Sequence, residues 1–176
     1  MIHEQNKFLS KNPQYSFPFN EEKKEIASHK TEDLPCVCYA RTYYNDWYPY
    51  HWHEEFEFTI ARKGSIILPI NGQNHIIQEN EAIFINSSTL HSFISPENME
   101  SRFLNLLFHP SLIYGSADSI FWRKYLHPLM SSTNLSHIAL RGNSNWQRRI
   151  LMLINQIIDT LNYKEWCYEF RIRDML

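Results

Sequence analysis

The stretch HWHEEFEFTIARKG, residues 51–64, decides the fold of this chain. It places two histidines and three carboxylates within its first seven residues and then alternates apolar with polar side chains. Because side chains on a strand alternate between its faces, Phe56, Phe58 and Ile60 share one face of a strand predicted over 55–62. The opposite face is able to bind a metal, exchange protons or hydrogen-bond a small molecule. It carries His51, His53, Glu55, Glu57 and Thr59.

Alternation alone leaves two orientations of this strand open. In the first, the apolar side chains face the core and the histidine face lies in solvent. In the second, the polar face looks into a barrel, and the apolar face packs against another sheet, the N-terminal arm or a partner subunit. The pattern by itself favours the first orientation.

Composition narrows the class of protein. A chain of 176 residues with a formal net charge of -2 suits one domain, or one domain with an appendage. The balance of 17 basic and 19 acidic residues shows no nucleic-acid-binding surface. Three cysteines without a CxxC pair argue against a disulfide framework or a zinc ribbon. Without an apolar leader or a span of ~20 apolar residues, we expect a cytoplasmic protein with no membrane segment.

The middle of the chain predicts short strands joined by turns. Asn71-Gly72 is a strong signal for a tight hairpin, because both central positions of a type I′ turn need positive φ. The segment 45–50 is predicted as a loop. This spacing is typical of a small sandwich or barrel. The predicted strands are 36–44, 55–62, 66–70, 74–78, 82–85, 90–94, 101–108 and 137–140.

Helical patterns follow Pro110. A helix over 118–126 is predicted to end or kink at Pro128. An apolar stripe over 146–161, capped by Asn143 or Ser144, predicts a longer helix that packs on its own barrel, forms a dimer seam, or does both. A second helix is predicted over 163–176, with Trp166, Cys167 and Phe170 on one side. Since it runs into the last residue without a cap, we expect the chain to be part of a larger protein.

The polar face of the first strand carries the ligand types of a metal site. His51 and His53 supply two imidazoles, and Glu57 supplies a carboxylate. A third imidazole from a neighbouring strand would complete a site for Zn, Mn, Fe or Ni. His91, which lies near the start of the strand over 90–94, is the first candidate, and His75 is the second.

Two motifs resemble those of the cupins. His51-x-His53-x-x-x-Glu57, with Gly64 following after six residues, matches the first cupin motif in residue type and spacing. The second motif keeps its histidine at His91. Its other marked positions hold Asn80, Asn86, Ser88 and Ser95.

A narrower resemblance covers about residues 35–176. The chain looks like the N-terminal effector domain of AraC-type transcription regulators. The segments that carry this resemblance are 50–55, 62–65, 83–86, 90–92, 107–111 and 168–176.

The resemblance implies a mostly β fold, in which a small cupin-type β-barrel (a double-stranded jelly roll) is followed by two to three α-helices. It implies an irregular arm over 1–34, a barrel over 35–113 and a helical dimerisation or linker segment over 114–176. The polar face would then look into the barrel and bind a small polar effector such as a sugar. The expected effector ligands are His51, His53, Glu55, Glu57 and His91, of which His51, His53, Glu57 and His91 are also the candidate metal ligands.

The sequence is consistent with three functions. The leading hypothesis is a ligand-sensing and dimerisation domain of a bacterial AraC-type regulator. It is not an enzyme, forms a homodimer through the helix over 144–161, and contacts DNA only through a C-terminal domain that this chain lacks. The alternative is a metal-dependent cupin enzyme, an isomerase or a dioxygenase, distinguished by an open metal coordination position and a nearby acid or base. The third is a stand-alone sugar-binding module.

Overall fold

Antiparallel strands form two facing sheets in the computed structural model, which describes residues 19–27, 29–30 and 34–176. The strands are β1 (Cys36–Tyr44), β2 (Trp47–His51), β3 (Phe56–Lys63), β4 (Ser65–Ile70), β5 (Gln73–Gln78), β6 (Ala82–Ile85), β7 (His91–Ile94), β8 (Glu100–Phe108) and β9 (His137–Leu140). The first sheet has the order β1-β8-β3-β6-β9, and the second has the order β2-β7-β4-β5. The order 1-8-3-6 facing 2-7-4-5 is that of a double-sheet jelly roll, so the predicted fold class is confirmed.

Helices follow the barrel, and the N-cap of one of them agrees with the prediction. They are α1 (Ser111–Tyr114), a π-helical turn (Trp122–Leu126) that continues into α2 (His127–Met130), α3 (Asn145–Tyr163) and α4 (Tyr168–Met175). The Ser144 side chain accepts a hydrogen bond from the Gln147 backbone N–H at the start of α3, as predicted. Among the described residues, none of the helices combines the length and the apolar character that a bilayer span requires.

One strand was predicted as a loop. Trp47–His51 forms β2 and pairs only with β7, at the edge of the second sheet. An edge strand tolerates Pro49, because a proline there need not donate to a ladder hydrogen bond. The turn residues of this segment therefore gave the wrong prediction.

The last helix is shorter than predicted. Lys164 adopts a left-handed conformation, with φ of 44°, and ends α3, so that α4 begins only at Tyr168. The side chains that the pattern groups on one side of this helix are not the ones that it buries most deeply. Trp166 and Phe170 are 89% and 72% exposed, while Tyr168 and Ile172 are buried.

The core decides the orientation of β3. Phe56 and Ile60 pack in one cluster with Ile154, Ile157 and other side chains of α3 and α4. The helices therefore cover the apolar face of the first sheet, and the polar face of β3 looks between the two sheets. The interior of the barrel is lined on its apolar side by a second cluster that includes Ile66, Leu68, Ile83, Phe93 and Phe103.

The apolar stripe of α3 packs on its own barrel over its second half. Ile154, Ile157, Ile158 and Leu161 are buried there. At the first half, Trp146 is 53% exposed and Met152, off the predicted stripe, is 51% exposed. The helix thus serves the core of its own domain and leaves apolar surface uncovered near its start.

Asn86 ties the barrel to the helical segment. It lies 3% exposed in the loop that joins β6 to β7 (86–90). Its Nδ2 donates to Leu129 O and to Leu135 O, each at 2.8 Å, and its backbone N–H donates to Ser136 O at 2.8 Å. The same loop leads into His91, so the position of the loop affects where the His91 side chain lies inside the barrel.

Asn86→Ala is expected to lower the free energy of unfolding by about 2–3 kcal/mol, because two part-buried carbonyls lose the donor that a buried side chain supplies. Urea denaturation followed by circular dichroism measures this change. Asn134→Ala, at an exposed position between the two accepting residues, serves as the control and is expected to change stability by less than about 0.5 kcal/mol. Equal losses in the two variants would contradict the structural role of Asn86.

Candidate functional site

Three histidines meet inside the barrel. His51 ends β2, His53 lies in the connection from β2 to β3, and His91 begins β7. Their ligand nitrogens all lie within 4.8 Å of one another. His51 and His91 are direct partners in the β2–β7 pairing, with ring centroids 4.2 Å apart. The prediction that His51 and His53 share one strand face with Glu57 is therefore wrong, although the predicted convergence of their side chains is present.

Glu57 lies on β3 and faces the histidines. Its Oε2 is 3.1 Å from His53 Nε2 and 3.3 Å from His91 Nε2. Its Oε1 accepts hydrogen bonds from Thr59 Oγ1 at 2.7 Å and from Asn105 Nδ2. Thr59 points the same way two residues along β3, and Asn105 is its partner on β8. Oε1 of Glu57 is thus held by Thr59 and Asn105, while Oε2 faces the imidazoles.

The backbone sets the direction of all three imidazoles. Each Nδ1 lies near a carbonyl oxygen two residues away: Pro49 O at 2.9 Å from His51, Glu55 O at 3.2 Å from His53 and Thr89 O at 2.8 Å from His91. Because a carbonyl only accepts, each Nδ1 carries the hydrogen, and a neutral ring presents its Nε2 lone pair to the centre.

A positive charge between the facing atoms of this cluster would stabilise it. Nε2 of His53 lies within hydrogen-bond distance of Oε2 of Glu57, at 3.1 Å, and Nε2 of His91 lies 3.3 Å from the same oxygen. A proton or a metal ion satisfies such a set. Imidazole nitrogen with one carboxylate is a donor set that suits Zn, Mn, Fe or Ni. The side chains therefore fit a divalent transition metal chemically.

The N-terminal arm adds a second carboxylate, which the sequence analysis missed. Glu25 Oε2 lies 3.1 Å from His29 Nε2 and 3.7 Å from His51 Nε2. Its Oε1 accepts a hydrogen bond from the Tyr48 hydroxyl at 3.1 Å. Phe19 stacks on the His51 ring, with centroids 5.4 Å apart. Two further aromatic residues of the arm, Tyr15 and Phe17, lie outside the described residues.

The arm is held beside β2 by its backbone. Glu25 N–H donates to Trp52 O at 2.8 Å, and Trp52 N–H donates to Lys23 O at 3.0 Å. Lys24 also forms an ion pair with Glu54 at 2.5 Å. These contacts carry Glu25 and His29 to the histidine cluster.

Burial and neighbouring charges set the protonation of the buried acids. Burial raises the pKa of Glu57, but the hydrogen bonds to His53 and His91 outweigh it and hold that pKa well below the usual range. Burial also raises the pKa of Glu25, and the hydrogen bond to His29 with the charge of His51 lowers it to about 2. Both carboxylates are therefore anionic at neutral pH.

The imidazoles respond in opposite directions. Burial, followed by the charge of His91, lowers the pKa of His51 to about 3, so its ring is neutral at pH 7. Burial lowers the pKa of His29 as well, but its hydrogen bond to Glu25 and the charge of that carboxylate raise it above the ordinary value. The cluster therefore combines a neutral imidazole, His51, with a more basic one, His29, that pairs with Glu25.

The space at the site is small. A cavity of about 30 Å³ lies among side chains that include Glu25, His29, His51, His53 and Glu57. This volume holds one or two waters or a single ion. Pockets for drug-sized organic ligands are roughly ten times larger, at about 300–1,000 Å³.

Two predicted residues lie away from the centre. Glu55 borders the cluster, with Oε2 3.6 Å from His53 Nδ1, and its side chain is 16% exposed. His75, the second candidate for a third imidazole, lies on β5 and contacts His137 of β9, with ring centroids 4.0 Å apart. The structure therefore selects His91 over His75.

Sequence comparison gives a family and a relative. The model of the AraC-like ligand binding domain family matches residues 34–165. The chain is 31% identical over 160 residues to the uncharacterized HTH-type transcriptional regulator YdeC of Bacillus subtilis (strain 168), covering 89% of this chain and 54% of the relative. The chain thus spans about half the length of this curated relative.

Similar solved structures are barrels of low sequence identity. A Cupin 2 conserved barrel domain protein from Salinispora arenicola CNS-205 has a TM-score of 0.42 and 16% identity, over 46% of this chain and 69% of that one. A predicted oxalate decarboxylase from Thermotoga maritima has a TM-score of 0.39 and 21% identity, over 42% of this chain and 65% of that one. The assignment of the jelly roll rests on the strand order.

Proposed function

Because the chain belongs to the AraC-like ligand binding domain family, we propose that it is the ligand-sensing and dimerisation domain of a bacterial AraC-type transcription regulator, without catalytic activity of its own. The observation that carries this proposal is the enclosed polar cluster inside the barrel. A sensor needs a site that distinguishes its effector from water, and buried groups that lack full pairing provide one. The effector is a small polar molecule or ion bound by His51, His53, Glu55, Glu57 and His91.

A thermal-shift and calorimetry screen tests this function with sugars, other small polar metabolites and divalent metal ions. An effector is expected to raise the melting temperature of the wild-type chain, since it binds the folded state. The shift is expected to be lost in His53→Ala. Glu97→Gln, which replaces an exposed carboxylate in the connection from β7 to β8, is the control and is expected to keep the response. A screen without a binder, and an unchanged profile in His53→Ala, would refute the proposal.

We further propose that DNA is contacted by a separate domain, in the part of the regulator that corresponds to the other half of the relative. Effector binding would shift the equilibrium between two arrangements of such domains. The size of this shift is limited by the difference in the effector's affinity for the two states of the sensor. In this division, 1–34 is the arm, 35–113 is the barrel and 114–176 is the dimerisation or linker segment. A regulator of this kind acts in the cytoplasm, where bacterial DNA lies.

The proposed dimer forms through α3. Its exposed Trp146 and Met152 supply apolar surface that a second copy would cover. Light scattering coupled to gel filtration measures the mass in solution. Met152→Glu is expected to convert a dimer into a monomer, whereas Gln73→Glu, a change at an exposed position at the start of β5 and outside α3, leaves the dimer intact. A wild-type monomer at micromolar concentration would count against this seam.

A metal-dependent cupin enzyme is the second candidate, favoured by the three imidazoles and the carboxylate of Glu57. These four side chains would hold the ion, which would act as a Lewis acid when bound. An isomerase or dioxygenase also needs an open coordination position and a nearby acid or base. Elemental analysis of protein purified without chelator tests this candidate, and metal-free protein would speak against it.

A further inference from the structure

A second group of histidines lies where the edges of the two sheets meet. His75 lies on β5 and His137 lies on β9, and each of these strands is the last of its sheet. Their ring centroids are 4.0 Å apart, and the ring planes are tilted by 52°. This edge histidine pair (His75 and His137) therefore bridges the first sheet and the second.

Strand register points both rings into the space between the sheets. His75 pairs with Leu68 of β4, and His137 pairs with Ile85 of β6. Residues directly opposite each other in an antiparallel pair have their side chains on the same face of the sheet. Leu68 and Ile85 are fully buried in the cluster that lines the barrel interior. The edge histidine pair thus faces inward, and both of its residues are half-buried.

The edge histidine pair is separate from the histidine cluster described above. His91 lies on β7, two strands away from β5 in the second sheet. Glu57 lies on β3, two strands away from β9 in the first sheet. Since neighbouring strands are about 4.8 Å apart, each of these separations is roughly 10 Å between backbones. One ion therefore cannot be shared by the two groups of histidines.

One nitrogen of the pair is shielded from solvent without a partner. His75 Nε2 has no hydrogen bond to any of the residues that the structure describes. Most buried polar atoms in folded proteins are paired, so such an atom indicates a missing water or ion. His137 Nδ1 lies 3.0 Å from Ser136 Oγ. A hydroxyl there can accept the Nδ1 hydrogen, and the lone pair of His137 then lies on Nε2.

The ring separation suits two ligands of one ion. With metal–nitrogen distances of about 2.1 Å, imidazoles in adjacent octahedral positions have centroids about 4.5 Å apart. The 4.0 Å of the edge histidine pair is close to this value. It is also close to the 4.2 Å between His51 and His91 of the cluster. A side-chain movement of about half an ångström would complete the geometry.

The chemistry of the pair selects the class of ion. Burial, followed by the charge of His75, lowers the pKa of His137, so that its ring is neutral at pH 7. Neutral imidazole is the form that binds a metal. Two imidazole nitrogens favour Ni²⁺, Cu²⁺ or Zn²⁺ over Mg²⁺ and Ca²⁺, which prefer oxygen ligands.

We propose that the edge histidine pair is a second metal site, at which Nε2 of His75 and Nε2 of His137 bind a divalent transition-metal ion such as Ni²⁺ or Zn²⁺. Water fills the other coordination positions. The inference does not depend on the proposed sensing function. Since β9 lies between α2 and α3 in the chain, the bound ion fastens the helical segment to the second sheet.

Equilibrium dialysis of the chelator-treated full chain against micromolar Ni²⁺ or Zn²⁺, followed by elemental analysis, counts the ions bound per chain. His75→Gln is expected to bind one ion fewer than the wild type. The affinity of the pair falls at least about tenfold, because loss of a residue that merely supports a ligand typically costs 10–100-fold. His127→Gln, which removes an exposed histidine of α2, is the matched control and is expected to bind as many ions as the wild type. Mg²⁺ is not expected to bind at the pair.

Hydrogen exchange measured by mass spectrometry locates the ion without any change to the pair. Ni²⁺ is expected to slow amide exchange in β5 and β9 of the wild type, and chelation is expected to reverse the effect. The same protection is expected in His53→Ala, which alters the histidine cluster and leaves the edge histidine pair intact.

Three results would overturn the proposal. The first is an equal number of bound ions in His75→Gln and the wild type. The second is an equal loss in His75→Gln and His127→Gln, which would indicate binding to surface histidines in general. The third is ion binding without slower exchange in β5 and β9, which would place the ion elsewhere in the chain.

Discussion

Glu57→Gln is expected to leave the barrel folded while lowering its affinity for Zn²⁺ or Ni²⁺ by about a hundredfold or more. The amide oxygen keeps the hydrogen bonds from Thr59 and Asn105. The amide nitrogen then points a donor at His53 and His91, where the wild type presents an anionic ligand. Loss of a ligating carboxylate removes more affinity than loss of a supporting residue, which typically costs 10–100-fold. Calorimetric titration of chelator-treated protein measures the change.

Glu97→Gln is the matched control for this variant. Glu97 is an exposed carboxylate in the connection from β7 to β8. We expect its affinity to equal that of the wild type, because the cluster and the residues that support it are unchanged. Circular dichroism confirms folding of both proteins. Wild-type affinity in Glu57→Gln would show that the carboxylate on β3 does not take part in binding.

Gly64→Ala is expected to destabilise the domain by at least about 3 kcal/mol. Gly64 has φ of 68° in the turn between β3 and β4, and a Cβ there would lie 2.6 Å from the backbone oxygen of Glu100. The left-handed conformation costs an L-residue about 1–2 kcal/mol, and the overlap with backbone adds to this because a strand cannot yield as a flexible side chain does. Urea denaturation measures the free energy of unfolding.

Gly72→Ala isolates the conformational part of this loss. Gly72 has φ of 81° at the tip of the β4–β5 hairpin, with nothing within 4 Å of an added Cβ. Its expected cost is therefore about 1–2 kcal/mol, from the backbone conformation alone. Equal losses in the two variants would show that the approach of Glu100 to Gly64 has no energetic consequence.

The strands were predictable wherever their signals are local. The boundaries of β1, β6 and β9 agree with the predicted ranges. Asn71 and Gly72 both have positive φ, 48° and 81°, as the predicted hairpin turn requires. Alternation and turn chemistry act within a few residues, so a single sequence displays them.

Elements that depend on tertiary context were not predictable. Pro49 marks a loop in the sequence, but β2 accommodates it because β2 lies at a sheet edge. Lys164 gives no helix-end signal of the glycine type, yet its left-handed conformation ends α3. For β2, the deciding interaction is its pairing with β7, which lies outside the window that a local pattern covers.

The candidate site was predictable in part. Motif spacing led to His51, His53, Glu57 and His91, and the structure brings these side chains together. Glu25 belongs to a charged segment without periodicity, some thirty residues before the motif, so nothing local points to its place beside His51. The spacing of Glu25 and His29 by four residues was the one available signal, and it is common in segments with no such role.

The pairing of β1 with β8 affects how fast the domain folds. Cys36 pairs with Phe108, about seventy residues later, and β9 joins the first sheet only after a further stretch of chain. Contacts so distant in sequence make folding slow, because the loop must close before the pairing is rewarded. During synthesis on the ribosome, β1 cannot pair until β8 has been made. The carboxylate of Glu57 accepts a hydrogen bond from Asn105, which is made 48 residues later, so the site can be completed only after most of the barrel has been synthesised.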